Sequence, residues 1–509
     1  MSDNKRIAKN TMFLYVRMIL IMVVTLYMSR VVLEKLGVDD YGLYNVVGGV
    51  VGMLSFLNGT LSIGTSRFIT YELGTGDKEK LKLTFSTAFF THVILGVIIL
   101  VLMETVGLWF LYNKLVIPPE RFTACVWVFH LSILTSLVAI TQVPYTATIM
   151  AHERMGIYAY ISLFEAFAKL GVCFLLSVGS MDRLILYAIL LAVVQFIVAM
   201  CYRVYCVRNF EESSIRLSFN KPILKKLLSF SGWNVLANIS STLENQGTLV
   251  LINLYFTSAI AAAQSVAGQV SGAIMLFVNN FRTAINPQII KSYAAGEKEE
   301  SKKLTLETTV YCFDLILMIG LPAIVVMDKL MHIWLVEVPD YAVVFTQWII
   351  ARQIIGTFSA SFYTPMMAAN KLKINSIAAV VLGIGEFLIL YAFLRIGFGP
   401  MWIQYLGFII TIGFSMIVKP YVLIKQIDYT LKDILKCYWN CLKTLLLAGL
   451  LSVVPAYLLG DSILESIIKV VLIVFIVALS SYVFLSKQTK TKVNGFIKNK
   501  LNRCLLKRN

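Results

Sequence analysis

Val47-Gly48-Gly49-Val50-Val51-Gly52, closed by Gly74-Thr75-Gly76-Asp77-Lys78-Glu79, is written a second time as Ala267-Gly268-Gln269-Val270-Ser271-Gly272, closed by Ala294-Ala295-Gly296-Glu297-Lys298-Glu299. At a fixed offset of 220 residues, Gly48, Val50, Gly52, Gly76, Lys78 and Glu79 fall on Gly268, Val270, Gly272, Gly296, Lys298 and Glu299. The charged loop repeats along with the glycine-bearing stretch, which chance matching of glycines in apolar sequence does not explain. Duplication in an apolar chain marks secondary transporters, whose related halves move about a central site. Gly48 and Gly268 are expected to let helices approach closely.

The surrounding composition is that of a membrane protein. Of 509 residues, 58% are hydrophobic and only 14% charged, outside the range of an ordinary soluble domain. Hydrophobic runs of about 20 residues, enough to cross a bilayer as a helix, recur about fourteen times between residues 11 and 485. The longest connection, 207–226, has room for only a short surface helix. Lys5, Arg6 and Lys9 precede a stretch too long for a signal peptide, and Ser29-Arg30 makes a poor cleavage site, so the first span is expected to stay as a helix.

Lys and Arg set the orientation. With both termini in the cytoplasm, the inner ends hold Arg67, Lys78, Lys80, Lys82, Arg208, Lys221, Lys291, Lys298, Lys302, Lys425, Lys436 and a basic tail. The outer ends hold only Lys35, Lys114, Arg121, Arg183, Lys329, Arg395 and Lys469. This asymmetry and an anionic inner leaflet account for the net charge of +17 without invoking nucleic acid. The eight cysteines contain no CxxC and indicate neither a metal site nor a disulfide framework.

The expected architecture is an all-α integral membrane protein of about fourteen transmembrane helices. Its parts are an N-terminal six-helix lobe (1–207), a cytoplasmic linker (208–226), a C-terminal six-helix lobe (227–424), two additional transmembrane helices (425–485) and a basic cytoplasmic tail (486–509). Six is even, so the lobes share one membrane orientation and form a parallel repeat. A weaker match supports the duplication: Met150-Ala151-His152-Glu153-Arg154-Met155 against Met367-Ala368-Ala369-Asn370-Lys371-Leu372. Pro144 and Pro365 precede these segments inside their spans and are the hinge candidates.

The six-six-two plan resembles the polysaccharide flippases of the multidrug/oligosaccharidyl-lipid/polysaccharide superfamily, whose fold includes the multidrug (MATE) exporters. So do Asn10-Thr11-Met12-Phe13-Leu14-Tyr15-Val16-Arg17, Ser29-Arg30, Leu36-Gly37-Val38-Asp39-Asp40-Tyr41-Gly42 and Tyr44-Asn45-Val46-Val47-Gly48-Gly49. The likeness spans nearly the whole chain and is most specific over 10–80. It implies alternating access between two lobes and, as cargo, an undecaprenyl-diphosphate-linked oligosaccharide crossing the inner membrane of a bacterium for O-antigen, capsule or related polysaccharide assembly. Implied partners are the lipid-linked glycan, the bilayer, and polysaccharide polymerase and assembly proteins.

Charges inside spans are the functional candidates, because holding them in hydrocarbon costs about 3 kcal/mol or more. Arg17, Arg282 and Arg352, with Arg30 and Arg67 behind them, form an expected cationic cavity for the diphosphate, since guanidinium groups hold such anions through paired hydrogen bonds. Arg17, Arg30 and Arg282 also lie near enough to span ends to snorkel, and Arg67 doubles as an orientation anchor. Glu165 and Lys169, spaced i, i+4, read as a structural ion pair. Glu244, in the polar stretch Ser240-Ser241-Thr242 to Asn245-Gln246, and Asp314 are candidates for a coupling ion, H+ or Na+. Tyr15, Asn58, Asn238, Asn245, Gln246, Asn279 and Asn280 suit either sugar binding or interhelix packing. No cofactor or metal is called for.

An enzyme fits poorly. There is no Walker lysine motif and no HExxH, and Asp39-Asp40 reads as a turn and cap. A polytopic polysaccharide polymerase or acyltransferase is the alternative from another class, but the outer loops are short for a polymerase. Within transporters the alternative is a drug/cation antiporter of the same superfamily. That branch carries an acidic residue in its first helix, whereas residues 11–33 hold Arg17 and Arg30 and no Asp or Glu.

The charge asymmetry gives a direct test. In a cysteine-free background, single cysteines at 78 and 298 should be sealed from membrane-impermeant reagent in intact cells, and those at 40, 120 and 461 should label. Labelling of position 78 from outside overturns the assigned orientation.

Overall fold

In hydrocarbon a backbone must satisfy its own hydrogen bonds, which leaves the helix as the route for apolar runs of this length. The computed structural model describes residues 3–484 apart from 153, 179, 215–219 and 226–237, together with 490, 491 and 494; the side chains of 3–17, 55–63, 284 and 287 lie outside that description. Among the described residues the elements are helical and no strand occurs. The helices are α1 (Asp3–Leu36), α2 (Val38–Gly52), α3 (Ser55–Thr75), α4 (Lys78–Leu102), α5 (Leu108–Asn113), α6 (Phe122–Ala151), α7 (Met155–Leu175) and α8 (Arg183–Asn209), then α9 (Thr248–Tyr255), α10 (Ser258–Ala294), α11 (Lys298–Val325), α12 (Met327–Trp334), α13 (Ala342–Gly356), α14 (Tyr363–Ala368), α15 (Lys373–Ile396), α16 (Trp402–Gly413), α17 (Lys419–Gln426), α18 (Leu431–Leu458) and α19 (Ile463–Phe484).

Where the residues are described the expected spans are mostly helical, several of them as two pieces, while 226–237, the start of the seventh, lie outside the described residues. Three are joined through π turns, at Met103–Gly107 between α4 and α5, Leu243–Gly247 before α9, and Phe414–Val418 between α16 and α17. Ten described helical segments are long and apolar enough, by length and composition, to cross a membrane. Their outward faces carry Val97, Val101, Leu450, Val454, Val471 and Phe475 exposed, a surface that suits lipid and would aggregate in water.

The repeated loops share one geometry. Gly76 and Gly296 both adopt left-handed backbone, with φ of 75° and 83°, the conformation glycine reaches without strain at a helix end. Gly76 N–H donates to Leu73 O (3.3 Å) and Gly296 N–H to Tyr293 O (3.1 Å), again at an offset of 220. Gly48 and Gly268 do not do what was expected of them. A Cβ on Gly48 would meet only the Ser132 hydroxyl, at 3.9 Å, and one on Gly268 would meet nothing within 4 Å. Neither is a close helix crossing, because both face open space.

The hinge candidates differ. Helix α6 runs unbroken through Pro144, where Thr148 Oγ1 donates to the Pro144 carbonyl (2.9 Å). Pro365 sits in the first turn of α14, just after the 3-10 turn Thr357–Ser359 that interrupts the tenth span.

The chain forms two compact units. The first comprises residues 1–269, 332–345 and 376–406; the second comprises 270–331, 346–375 and 407–509. In the first, a core of Leu43, Val47, Val50, Phe129, Ile133 and Leu184 joins α2, α6 and α8. In the second, Phe362, Met366, Val422, Leu423 and Ile434 join α14, α17 and α18.

At the end of the first unit that is poor in Lys and Arg, segments from both copies of the repeat are latched together. Ser258 Oγ donates to Asp39 Oδ1 (2.6 Å), Arg30 Nη1 to Ile333 O (2.8 Å) and Trp334 Nε1 to Leu26 O (2.7 Å). Asn253 both accepts from Val116 N–H and donates to Val116 O, each at 3.0 Å. A Cβ on Gly42 would run into the Ser258 carbonyl, so this approach requires glycine. Arg121 clamps the same end. Its guanidinium donates twice to Asp40, with Nε at 2.8 Å, and from Nη1 to Asp182 Oδ2 at 2.6 Å. Burial raises the Asp182 carboxyl, but Arg121 and the backbone N–H groups of Ile185 and Leu184 outweigh it and hold the carboxyl below its usual range.

Arg121→Met should therefore leave two carboxylates uncompensated and cost about 2 kcal/mol. Gly42→Ala should cost a comparable amount through overpacking, about 1–3 kcal/mol. Thermal unfolding of the purified protein should show both as lower apparent melting temperatures. Unchanged melting of both variants would show that the latch contributes nothing.

Candidate functional site

The first unit holds an open cavity of about 620 Å³ lined largely by residues of its apolar helices. Its walls come from both copies of the repeat. Helix α2 contributes Tyr44, Asn45, Gly48 and Gly52; α6 contributes Ser132, Thr135 and Ser136; α7 contributes Lys169 and α8 Gln195. Asn245 and Gln246 of the π turn and Gln264, Ser265, Gly268 and Gln269 of α10 complete it.

Local structure explains why these side chains face inward. The π turn Leu243–Gly247 widens the helix by one residue and places Asn245 and Gln246 on the cavity; such insertions recur at functional sites. Gly49 and Gly52 give Gln246 its place, since a Cβ on either would lie 3.3 Å from its side-chain amide. Ser132, Thr135, Ser136 and Ala139 follow helical spacing and form one stripe of α6. Gln264, Ser265 and Gly268 do the same on α10.

The polar groups are tethered yet keep hydrogen-bonding capacity. Gln269 Nε2 donates to Tyr41 Oη (2.6 Å), while its Oε1 meets the Ser29 hydroxyl. Asn45 Nδ2 donates to Tyr41 O (2.7 Å), Asn245 Nδ2 to Ser241 O (2.8 Å), and Gln404 Nε2 to Gln264 Oε1 (2.7 Å). An amide has two donor hydrogens and two acceptor lone pairs, so each of these retains capacity for a ligand. Lys169 brings a cation to the wall, held by Glu165 Oε1 at 2.6 Å. The lining thus offers paired donors and acceptors of the sort hydroxyl-rich ligands need, with one charge-paired ammonium.

The sequence-derived candidates are distributed as follows. Arg30 and Arg67 belong to the first unit, Arg30 on the Ile333 carbonyl and Arg67 exposed at the basic end. Arg282 and Arg352 belong to the second. Arg352 Nε donates to Thr411 Oγ1 (2.8 Å). Arg282 Nη1 reaches Asn279 Oδ1 at 3.5 Å, and its Nε is buried without a hydrogen bond. None of these four lines the cavity of the first unit. The Arg17, Tyr15 and Asn58 side chains lie outside the described residues. Glu244 sits in the π turn beside the cavity but is not part of its wall, and Asp314 lines a separate space in the second unit.

Asn245 and Gln246 are brought to the cavity, whereas Asn279 and Asn280 lie in the second unit. Sequence reading passed over Gln195, Gln264, Gln269 and the serine-threonine stripe of α6, and saw Lys169 only as half of an ion pair. The stripes carried a usable signal: polar residues at i, i+1, i+4 or i, i+3, i+4 within otherwise apolar spans. His130 likewise meets Glu104, at 3.4 Å, a partner that is not its sequence neighbour.

Comparison with known proteins now has a structural frame. A family model described as polysaccharide biosynthesis protein matches residues 35–338. The chain belongs to that family, and its fold is that of solved transporters of the multidrug/oligosaccharidyl-lipid/polysaccharide superfamily, the fold the resemblance implied. Among solved structures it is similar to the lipid II flippase MurJ in an inward closed conformation, at TM-score 0.67 and 12% identity, covering 94% of this chain and 98% of that one. It is similar to an inward-facing multidrug resistance MATE transporter at TM-score 0.63 and 12% identity, covering 80% and 95%. A superfamily transporter from Pyrococcus furiosus, described as having a binding pocket of reversed polarity, matches at TM-score 0.60 and 13% identity, covering 83% and 97%. At such identities these neighbours speak for the fold. No curated protein sequence matches the chain. The fold is the one those solved flippase and transporter structures have.

The cavity itself can be tested for solvent access. Cysteines at Ser132, Thr135 and Gly268 should react with a small hydrophilic thiol reagent, and Ser136→Trp should block all three. Inert thiols at every position would show that the space is a dry packing defect.

Proposed function

We propose that the chain translocates an undecaprenyl-diphosphate-linked oligosaccharide across the bacterial inner membrane, in the assembly of O-antigen, capsule or a related surface polysaccharide. The observation that carries this reading is the amide- and hydroxyl-lined cavity of the first unit, walled by both copies of the repeat. Sugar hydroxyls find complementary partners on Asn45, Gln195, Gln246, Gln264 and Gln269. Lys169 is the cavity cation nearest to the role of anion partner, with Glu165 holding its charge when no cargo is bound. Arg282 and Arg352 of the second unit, Arg30 and Arg67 of the first, and Arg17 are the further candidates to hold the diphosphate.

The latch supports alternating access. Contacts through Asp39, Gly42, Ser258 and Arg30 hold the weakly basic end closed. With both termini cytoplasmic, that end faces the periplasm, and cargo enters from the cytoplasmic side. Breaking the latch then releases cargo outward. The lobes 1–207 and 227–424 are the moving halves, with Pro144 and Pro365 as their hinges; Glu244 and Asp314 are the groups available to a coupling ion. Polysaccharide polymerase and assembly proteins would receive the product. A first helix that carries Arg17 and Arg30 and no carboxylate over residues 11–33 favours an anionic cargo over the organic cations of a drug antiporter.

Complementation of a flippase-deficient strain tests the proposal. Lys169→Ala should lower surface glycan display about tenfold or more, the effect of losing one charge-assisted contact of about 1.5–3 kcal/mol. Arg352→Ala should also lower it, with membrane levels of each variant checked. Because Lys169→Ala leaves Glu165 unpaired, the double change Glu165→Gln with Lys169→Met serves as the charge-balanced control and should be equally impaired. Wild-type chain that cannot restore display to any such strain would remove the flippase reading.

A further inference from the structure

The two helices beyond the repeat border a second cavity, which holds one of the two carboxyl groups available to a coupling ion. Helices α18 and α19 pack on α11 within the second unit, enclosing about 320 Å³. Asp314 of α11 lines this space, is only 7% exposed, and its Oδ1 accepts no hydrogen bond. Ser481 of α19 lines the same space, is equally buried, and turns its hydroxyl toward the Asp314 carboxyl without forming a well-aligned hydrogen bond. Thr444 and Asn440 of α18 add further oxygen atoms to the wall.

The charges at this cavity do not cancel. Lys302, Lys303 and Lys436 of the lining are matched in number by Glu299, Glu307 and Asp433, and Lys302 is bound to Asp433 at 2.6 Å. Asp314 is the carboxylate left over. Lys303, the nearest lining lysine on its own helix, lies about 16 Å away along the axis. A buried carboxylate with neither a counter-charge nor a full set of hydrogen bonds is costly, and such a group in a native fold calls for an ion or water to compensate it.

We propose that this cavity binds one small, hard, monovalent cation, with Asp314 as its charge partner and the oxygen atoms of Ser481, Thr444 and Asn440 as neutral ligands. The donor set is all oxygen, which hard cations prefer over softer metals. One surplus negative charge matches one positive charge, whereas a divalent ion would reverse the imbalance. The space is large enough for the ion with water completing its shell. Binding would tie α11 to α18 and α19 and so give the two added helices a function. Its use as the coupling ion rests on the transport reading above; the binding itself does not.

Thermal unfolding of the purified full chain in detergent, with no cargo present, tests this. Sodium chloride should raise the melting temperature saturably over choline chloride of equal ionic strength, as expected for a ligand of the folded state. Asp314→Asn should abolish the sodium dependence and should melt above wild type in choline chloride, because its uncompensated charge is gone. Ser481→Ala should keep the dependence with apparent affinity lowered about threefold or more, the loss of one oxygen ligand. Wild type that melts alike in both salts overturns the site, as does a sodium response that survives in Asp314→Asn. A misfolded Asp314→Asn would melt lower instead of higher, and the wild-type and Ser481→Ala titrations then decide. Failure here leaves glycan complementation untouched, so the two ideas fall separately.

Discussion

A backbone in hydrocarbon has no water to bond with, and every other property of this chain is arranged around that constraint. Helices satisfy it locally, so elements form wherever an apolar run is long enough. What remains for specificity is the minority of polar side chains and the few places where the helix is irregular. The π turn Leu243–Gly247 is such a place. It keeps the backbone bonded while turning two amides toward the cavity, which a regular turn would not do with the same residues.

The same low dielectric governs charge. Most buried or half-buried ionic groups here are held by partners: Arg121 by Asp40 and Asp182, Lys169 by Glu165, Lys302 by Asp433. The Arg121 and Lys302 pairs join separate segments, so there neutralising charge and fixing helix position are one event, whereas Lys169 and Glu165 pair along one helix. Asp314 departs from this rule, and the departure lies against the two helices that the repeat does not contain. That unpaired carboxyl is the basis of the cation site proposed above.

The two ends of the first unit divide the labour. The weakly basic end is closed by short hydrogen bonds to backbone carbonyls and by a glycine contact, interactions that depend on close approach and vanish once the helices part. The basic end carries exposed and flexible pairs such as Lys78 with Glu211, which contribute little and cost little to break.

The sequence by itself determined what depends on local spacing. Run length marked the apolar helices, the offset of 220 marked two repeated loops, which prove to share one left-handed glycine, and the i, i+4 spacing of Glu165 and Lys169 foretold their ion pair. These follow from helical geometry and need no knowledge of neighbours. Which faces meet is another matter. Gly48 and Gly268 look like contact glycines, yet they border open space. Lys169 looks structural, yet it lines the cavity. Arg282 and Arg352 look equivalent to Arg30 and Arg67, yet they are divided between the two units. Only the tertiary structure decided these points, because a helix offers every side of itself to solvent or lipid alike until packing chooses which side is enclosed.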